Sequence, residues 1–202
     1  MARRVFFAFD YADVQDFRAN VVRKSWVTRG SGEAAGFWDA SIWEEAKKKG
    51  DSAIRQMIDE GLQNTSVTAV LVGTNTISRP WVRYEIVKSF QRGNGLLGIN
   101  INCIEDRSGN TYADGPNPFN HLKLNISSDS EHWLIREFED FGFREYARMP
   151  IVRISTSSLK CGSHVFNGRL FSDIFPLYDW KADDGFANLG TWAEEAADKA
   201  NY

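Results

Sequence analysis

Val67-Thr68-Ala69-Val70-Leu71-Val72 is apolar at every position but Thr68 and β-branched at most of them. A strand with one wet face would alternate polar and apolar residues. A nearly continuous apolar strand points to a parallel sheet covered by helices on both faces. Gly73-Thr74 ends the run. Downstream, Pro80 suits a first helical turn, Trp81 to Phe90 read as a helix, and Gly93-Asn94-Gly95 turns the chain into a strand over Leu96 to Ile101. Upstream, Arg4-Val5-Phe6-Phe7-Ala8-Phe9 reads as a buried strand ended by the polar turn Asp10-Tyr11-Ala12-Asp13. Val14, Phe17, Val21, Val22 and Ser25 then recur at helical spacing, which predicts one helix running to about Trp26.

Between these units lies a loop over residues 28–40 with Gly30, Gly32 and Gly36, in which Gly36-Phe37-Trp38-Asp39 reads as a short edge strand. Ser41 and Glu44 form a capping-box pattern for the next helix, Gly50-Asp51-Ser52 breaks it, and Ala53, Ile54, Met57 and Ile58 resume its apolar stripe. Gly61 sits where a left-handed helix cap is expected. Beyond Glu105 the pattern changes. Gly109, Gly115, Pro116 and Pro118 make a long loop, and Trp133, Arg136, Glu137, Asp140 and Phe141 allow a helix within residues 132–147, although Gly142 weakens it. The expected organisation is a core over residues 1–120 and an extension over 121–202 packed on it.

Composition narrows the function. With 24 Lys and Arg against 27 Asp and Glu, a net charge of −3 and no long basic run, the chain is not built to bind nucleic acid or an anionic membrane. Lys47-Lys48-Lys49 follows Glu44 and Glu45, which suits paired charges on a solvated helix face. Cys103 and Cys161 form no C-x-x-C unit, and His121, His132 and His164 show no metal-ligand spacing, so neither a disulfide nor a metal site is expected. Asp10 and Asp13 interrupt the apolar run after Arg3-Arg4 too early for an export signal, and no apolar stretch approaches 18 residues. A soluble, cytoplasmic protein is expected. Its 7 Trp and 14 Phe exceed what one small core needs, so some should line a pocket or interface.

Open parallel sheets bind ligands beyond the carboxyl ends of their strands. Phe9-Asp10-Tyr11, Asp39-Ala40-Ser41 and Gly73-Thr74-Asn75 fall there, and the helix bearing Trp81 and Glu85 begins close to the last. Residues four apart share a helix face, so the Trp81 indole could hold a flat ring while the Glu85 carboxylate meets sugar hydroxyls. The spacing by itself more often describes a core Trp and a solvated Glu paired with Lys88 or Ser89.

Several ordered blocks carry more than spacing does. Arg4 to Tyr11, Asn64 to Gly73 and Trp81 to Ile86 resemble the corresponding blocks of TIR-like domains, most closely those of bacterial Thoeris antiphage systems. The likeness extends through Asp39 to Glu44, Gly115 to Phe119 and Tyr178 to Gly185, and so covers most of the chain. The resemblance implies an α/β, flavodoxin-like open parallel sheet with helices on both faces, plus a C-terminal elaboration. It implies an enzyme that cleaves the nicotinamide–ribose bond of NAD, with NAD as substrate and no cofactor. It assigns the catalytic role to Glu85 of the W-x-x-x-E arrangement, and substrate contacts to Phe9, Asp10, Tyr11, Asp39, Ser41, Trp43, Gly73 and Trp81; Asp39 also reads as a helix cap and Trp43 as core. It further implies a cyclic ADP-ribose-type product that reaches a separate effector protein by diffusion, and leaves open a phage-derived trigger and a homo-oligomer. The proline-containing assembly loop of animal TIR domains is not recognisable here.

One carboxylate is chemically adequate for this reaction. Nicotinamide leaves as a neutral base from a cationic pyridinium, so it needs no general acid, unlike ordinary glycoside hydrolysis with its two carboxyl groups. A carboxylate on the ribose hydroxyls stabilises the positive charge that develops on the sugar. Water as acceptor gives ADP-ribose, a nucleophile of the same bound molecule gives a cyclic isomer, and a second small molecule such as an amino acid gives a conjugate. The rival readings are a non-catalytic TIR-like signalling scaffold, a receiver-type domain phosphorylated on Asp39, and a nucleoside deoxyribosyltransferase.

Overall fold

A computed structural model of the chain describes residues 3–15, 17–28, 34–38, 40–127, 132–139, 142–145, 154–155 and 167–200. Its first sheet is parallel throughout and is built from β1 (Val5–Ala8), β2 (Ala34–Ala35), β3 (Val67–Val72), β4 (Gly95–Asn100) and β10 (Leu177–Asp179), in the order β10-β4-β3-β1-β2. This is the flavodoxin-like order, in which the winding reverses between β1 and β3 and opens a crevice at their carboxyl ends. β1, β3 and β4 are buried at every residue, as their continuous apolar character requires.

Alternate side chains feed two cores. Phe6, Ala8, Val70 and Val72 pack against α3 (Ala40–Lys49), α4 (Asp51–Gly61) and α5 (Pro80–Gln91). Val5, Phe7, Val67, Ala69 and Leu71 face α2 (Arg18–Thr28) and α6 (Gly185–Lys199) on the other side. Thr68, the polar interruption of β3, is fully buried and shares a 2.7 Å hydrogen bond with Ser89 Oγ of α5. That bond sets the rotation of α5 on the sheet. Ser89 docks on β3, and Glu85 and Trp81, four and eight residues earlier on the same face, are carried toward the crevice.

The helix expected from Val14 to Trp26 is two: α1 (Tyr11–Gln15) and α2, separated at Phe17, whose φ of 65° is left-handed and incompatible with a continuous helix. β2 occupies Ala34–Ala35 and not Gly36–Asp39, because Gly36 turns at φ 90° with its Cα against the Phe7 carbonyl; Asp39 lies outside the described residues. α3 begins at Ala40, so Ser41 is inside the helix and exposed, not at its cap. Gly61 is the last residue of α4 and is followed by Leu62 in right-handed conformation. It is bare for a different reason: a Cβ there would come within 2.7 Å of Trp38 Cζ2.

The larger departure is in the second half. His132 to Glu139 form a strand, β6, and Gly142–Glu145 form β7, where a helix is expected from residue 132. Trp133, Ile135 and Glu137 are buried while their neighbours are less so, a period of two that decides for a strand. With β5 (Leu122–Ile126), β8 (Ile154–Ser155) and β9 (Arg169–Leu170) they make an antiparallel sheet, β7-β6-β5-β9, with β8 also on β6. Leu122, Leu124, Trp133 and Ile135 join the core beneath α5. The boundary expected at residue 120 does not separate the layers: the chain returns after the second sheet to supply β10 and α6 to the first.

Candidate active site

Two adjoining hollows open at the carboxyl end of β1. The inner is a narrow slit of about 40 Å³ between Phe7, Phe9, Tyr11, Gly36, Trp38 and Trp43, with Glu85 at its floor. The outer holds about 370 Å³ and is walled by Phe9, Asp10, Tyr11, Ala12, Trp43, Lys47, Arg79, Pro80, Trp81, Val82 and Glu85. Phe9, Tyr11, Trp43 and Glu85 line both, so Glu85 stands where an aromatic slit meets a wider mouth that carries Asp10, Lys47 and Arg79.

Other openings at this edge of the sheet are filled. The Asp13 carboxylate occupies the place of a side chain on Gly73, and the carbonyl of Gly73 lies against the Cα of Gly115. Asn102 Nδ2 donates to Thr74 Oγ1 at 3.0 Å and to the Ala113 carbonyl at 2.6 Å. Asn100 Nδ2 donates to Asp179 Oδ2 at 3.0 Å and to Asp114. The loop before Gly115 thus plugs the ends of β3, β4 and β10, which leaves β1 and the start of α5 to frame the cleft.

Glu85 is 5% exposed, and its Oε2 meets no hydrogen-bond partner among the described residues. Burial pushes its carboxyl well above the usual carboxylate range. An unpaired buried carboxyl costs stability and persists where it serves a ligand. Asp10 holds Arg79 Nη2 at 2.9 Å across the mouth, joining the turn after β1 to the residue before α5, and its Oδ1 accepts from the Ala12 amide. Trp38 and Trp43 stack with ring centroids 6.5 Å apart and planes 25° apart. Trp81 lies edge-on to Tyr84 at 5.8 Å. Tyr84 donates to Asp59 Oδ1, and burial beside that carboxylate raises its hydroxyl to about 12.

The structure therefore brings together Phe9, Asp10, Tyr11, Trp43, Trp81 and Glu85. Ser41 is exposed and lines neither hollow, and Gly73 is a packing glycine behind Asp13. Trp38, Lys47 and Arg79 line the cleft without having been read from the sequence. Lys47 had a usable signal, since it lies four residues after Trp43 on one helix face; it pairs with Glu44 at 2.8 Å and lies 5.9 Å from the Trp43 ring centroid. Lys49, in contrast, pairs with Glu45 as expected of a solvated face.

Among the described residues, no group of three His, Cys, Asp or Glu is placed to hold a metal ion, and no helix is long and apolar enough to cross a membrane. Cys103 is a free thiol, and Cys161 lies outside the described residues. The family model described as "Thoeris protein ThsB, TIR-like domain" matches residues 6–106, which hold β1 from its second residue, β2 to β4, α5 and every wall of the cleft. Over 194 residues, 95% of this chain and 99% of the relative, the chain is 44% identical to a Bacillus cereus (strain MSX-D12) protein named "Putative cyclic ADP-D-ribose synthase ThsB1". A likeness that runs from the first strand through the second sheet to α6 is not one of fold alone, and the chain belongs to the ThsB family of Thoeris TIR-like proteins.

Proposed function

We propose that this protein cleaves the nicotinamide–ribose bond of NAD and closes the remaining ADP-ribosyl group on itself, releasing a cyclic ADP-ribose-type nucleotide that acts on a separate effector. The observation that carries the reading is Glu85: a buried carboxyl without a partner among the described residues, at the junction of an aromatic slit and a wider mouth that carries Asp10, Lys47 and Arg79. The name of the Bacillus cereus relative describes the same product class.

The bond electrons leave with the pyridinium nitrogen, so nicotinamide departs neutral and the positive charge passes to the ribose. A buried anion beside that sugar acts through a low dielectric, where preorganised charge stabilises the transition state most. Burial raises the Glu85 carboxyl above its ordinary range and so favours its protonated form in the free cleft, whereas the cationic nicotinamide ring favours its ionised form on binding. Phe9, Tyr11 and Trp43 supply flat apolar walls around the reacting sugar and reduce its access to water. A nucleophile of the same molecule, a ring nitrogen or a sugar hydroxyl, then attacks the sugar carbon, forming the new glycosidic bond and shedding any proton it carried. Excluding water favours this intramolecular acceptor.

The test is mass-resolved chromatography of NAD incubated with the protein and with Glu85→Gln, with and without lysate of phage-infected cells in case a trigger orders the site. Nicotinamide release with a new ADP-ribose-type species, absent in the variant, is expected. Intact NAD in every sample would replace this reading with the non-catalytic scaffold.

A further inference from the structure

The mouth of the cleft has a charge arrangement that Glu85 chemistry does not use. Arg79 and Lys47 stand on its walls from different elements, one at the start of α5 and the other on α3, and both line the same 370 Å³ hollow. Their side chains are 48% and 49% exposed, so a ligand in the hollow can reach them. Each is neutralised by a carboxylate: Arg79 by Asp10 at 2.9 Å, and Lys47 by Glu44 at 2.8 Å. The Arg79–Asp10 pair uses one Nη of the guanidinium, and a guanidinium carries five N–H donors in a planar fork. Pro80, Trp81 and Val82 also line the hollow, which places the first turn of the twelve-residue α5, the positive end of its dipole, at the same spot.

We propose that Lys47 and Arg79 form a diphosphate subsite, which holds the pyrophosphate bridge of a dinucleotide while its sugar lies at Glu85. The identification of that dinucleotide as NAD rests on the function proposed above; the subsite itself rests on the two cations and the helix end. A diphosphate carries more charge than either carboxylate, and oxygens on two phosphorus atoms can reach both walls. It takes Lys47 from the exposed Glu44, a pair of little worth in water, and engages the free edge of Arg79 while Asp10 keeps its own Nη contact. The subsite is thereby close to neutral when empty and selects ligands bearing two linked phosphates over nucleosides.

Calorimetric titration of the full chain with ADP-ribose and with adenosine tests this without turnover. Lys47→Gln and Arg79→Gln should each weaken ADP-ribose binding about tenfold, as expected for loss of a charge-assisted contact, and leave adenosine binding unmoved. Glu44→Gln, which frees Lys47, should tighten ADP-ribose a few-fold, and added salt should weaken it. Lys47→Gln leaves the Asp10 pair intact, so the outcome does not depend on how well Arg79→Gln folds. The proposal is overturned if the wild type does not bind ADP-ribose, if the variants bind it equally well, or if adenosine binding falls in parallel. Cation-dependent ADP-ribose binding by a protein that leaves NAD intact would keep the subsite and remove the reaction. Cleavage of NAD with an unchanged KM in both variants would do the reverse.

Discussion

The carboxylate of Asp13 fills the space in which a side chain on Gly73 would stand, and from there it holds Arg18 through Nε at 3.1 Å and Nη2 at 2.8 Å in a buried ion pair. Gly73 is therefore bare for packing. Gly73→Ala should displace Asp13 and cost about 1–3 kcal/mol, the range for overpacking a filled site. Urea unfolding measures the loss. The KM for NAD of the folded protein should hold, whereas a rise in KM with unchanged stability would return Gly73 to the substrate.

Glu85 burdens the fold at neutral pH. Its folded-state pKa is raised by burial, so its protonated form is favoured in the native state, and the contribution is fully present below the unfolded pKa near 4.5. That contribution is lost as pH rises toward the higher folded value. Glu85→Gln, which cannot ionise, should be more stable than the wild type at pH 7, with the gap closing by about pH 4. Equal stability at both pH values would mean that the carboxyl is solvated.

The same titration should shape catalysis. The free enzyme must ionise Glu85, so the acid limb of kcat/KM is expected above the ordinary carboxylate range. The limb of kcat should fall at lower pH, because the bound pyridinium cation favours the carboxylate. Glu85→Gln should lower kcat on the order of 10²–10³-fold, the usual effect of removing a transition-state-stabilising group. A pH profile flat down to pH 4.5 would contradict this account.

The second sheet is tied to the helix that carries Glu85. Arg83 of α5 forms a largely buried ion pair with Glu137 of β6 and donates from Nη1 to the Ile77 carbonyl at 2.6 Å, in the turn that precedes α5. Glu137→Ala should destabilise the protein by about 2–3 kcal/mol, since it strands a cation that is largely buried. It should also lower kcat for NAD by loosening the start of α5. Unfolding measurements alongside kinetics at low temperature separate the two effects; full activity in the folded variant would show that the second sheet only stabilises.

What was legible in the sequence was local. β3 is bounded where its apolar run begins and ends, α5 starts at Pro80, and Trp81 and Glu85 reach the same cleft because residues four apart share a helix face. Residues 132–139 show the limit. Trp133 and Glu137 fit a helical spacing as well as a strand's, and burial of every second residue in the core that α5 also packs into selects the strand. Nothing local marks the left-handed Phe17 that splits α1 from α2, since a bulky L-residue rarely adopts that φ and no Gly or Asn stands there to announce it.

The sequence by itself determined the parallel α/β class, the buried strands and the helix face bearing Glu85, because side-chain periodicity is a short-range property of the backbone. Only the tertiary structure decided that Leu177–Asp179 becomes the fifth strand of the first sheet, beside β4. It also decided that Trp38, Lys47 and Arg79 meet around Glu85, and that Asp13 occupies the place beside Gly73. Those relations join residues far apart in the chain, and they follow from which surfaces exclude water together once the chain has closed.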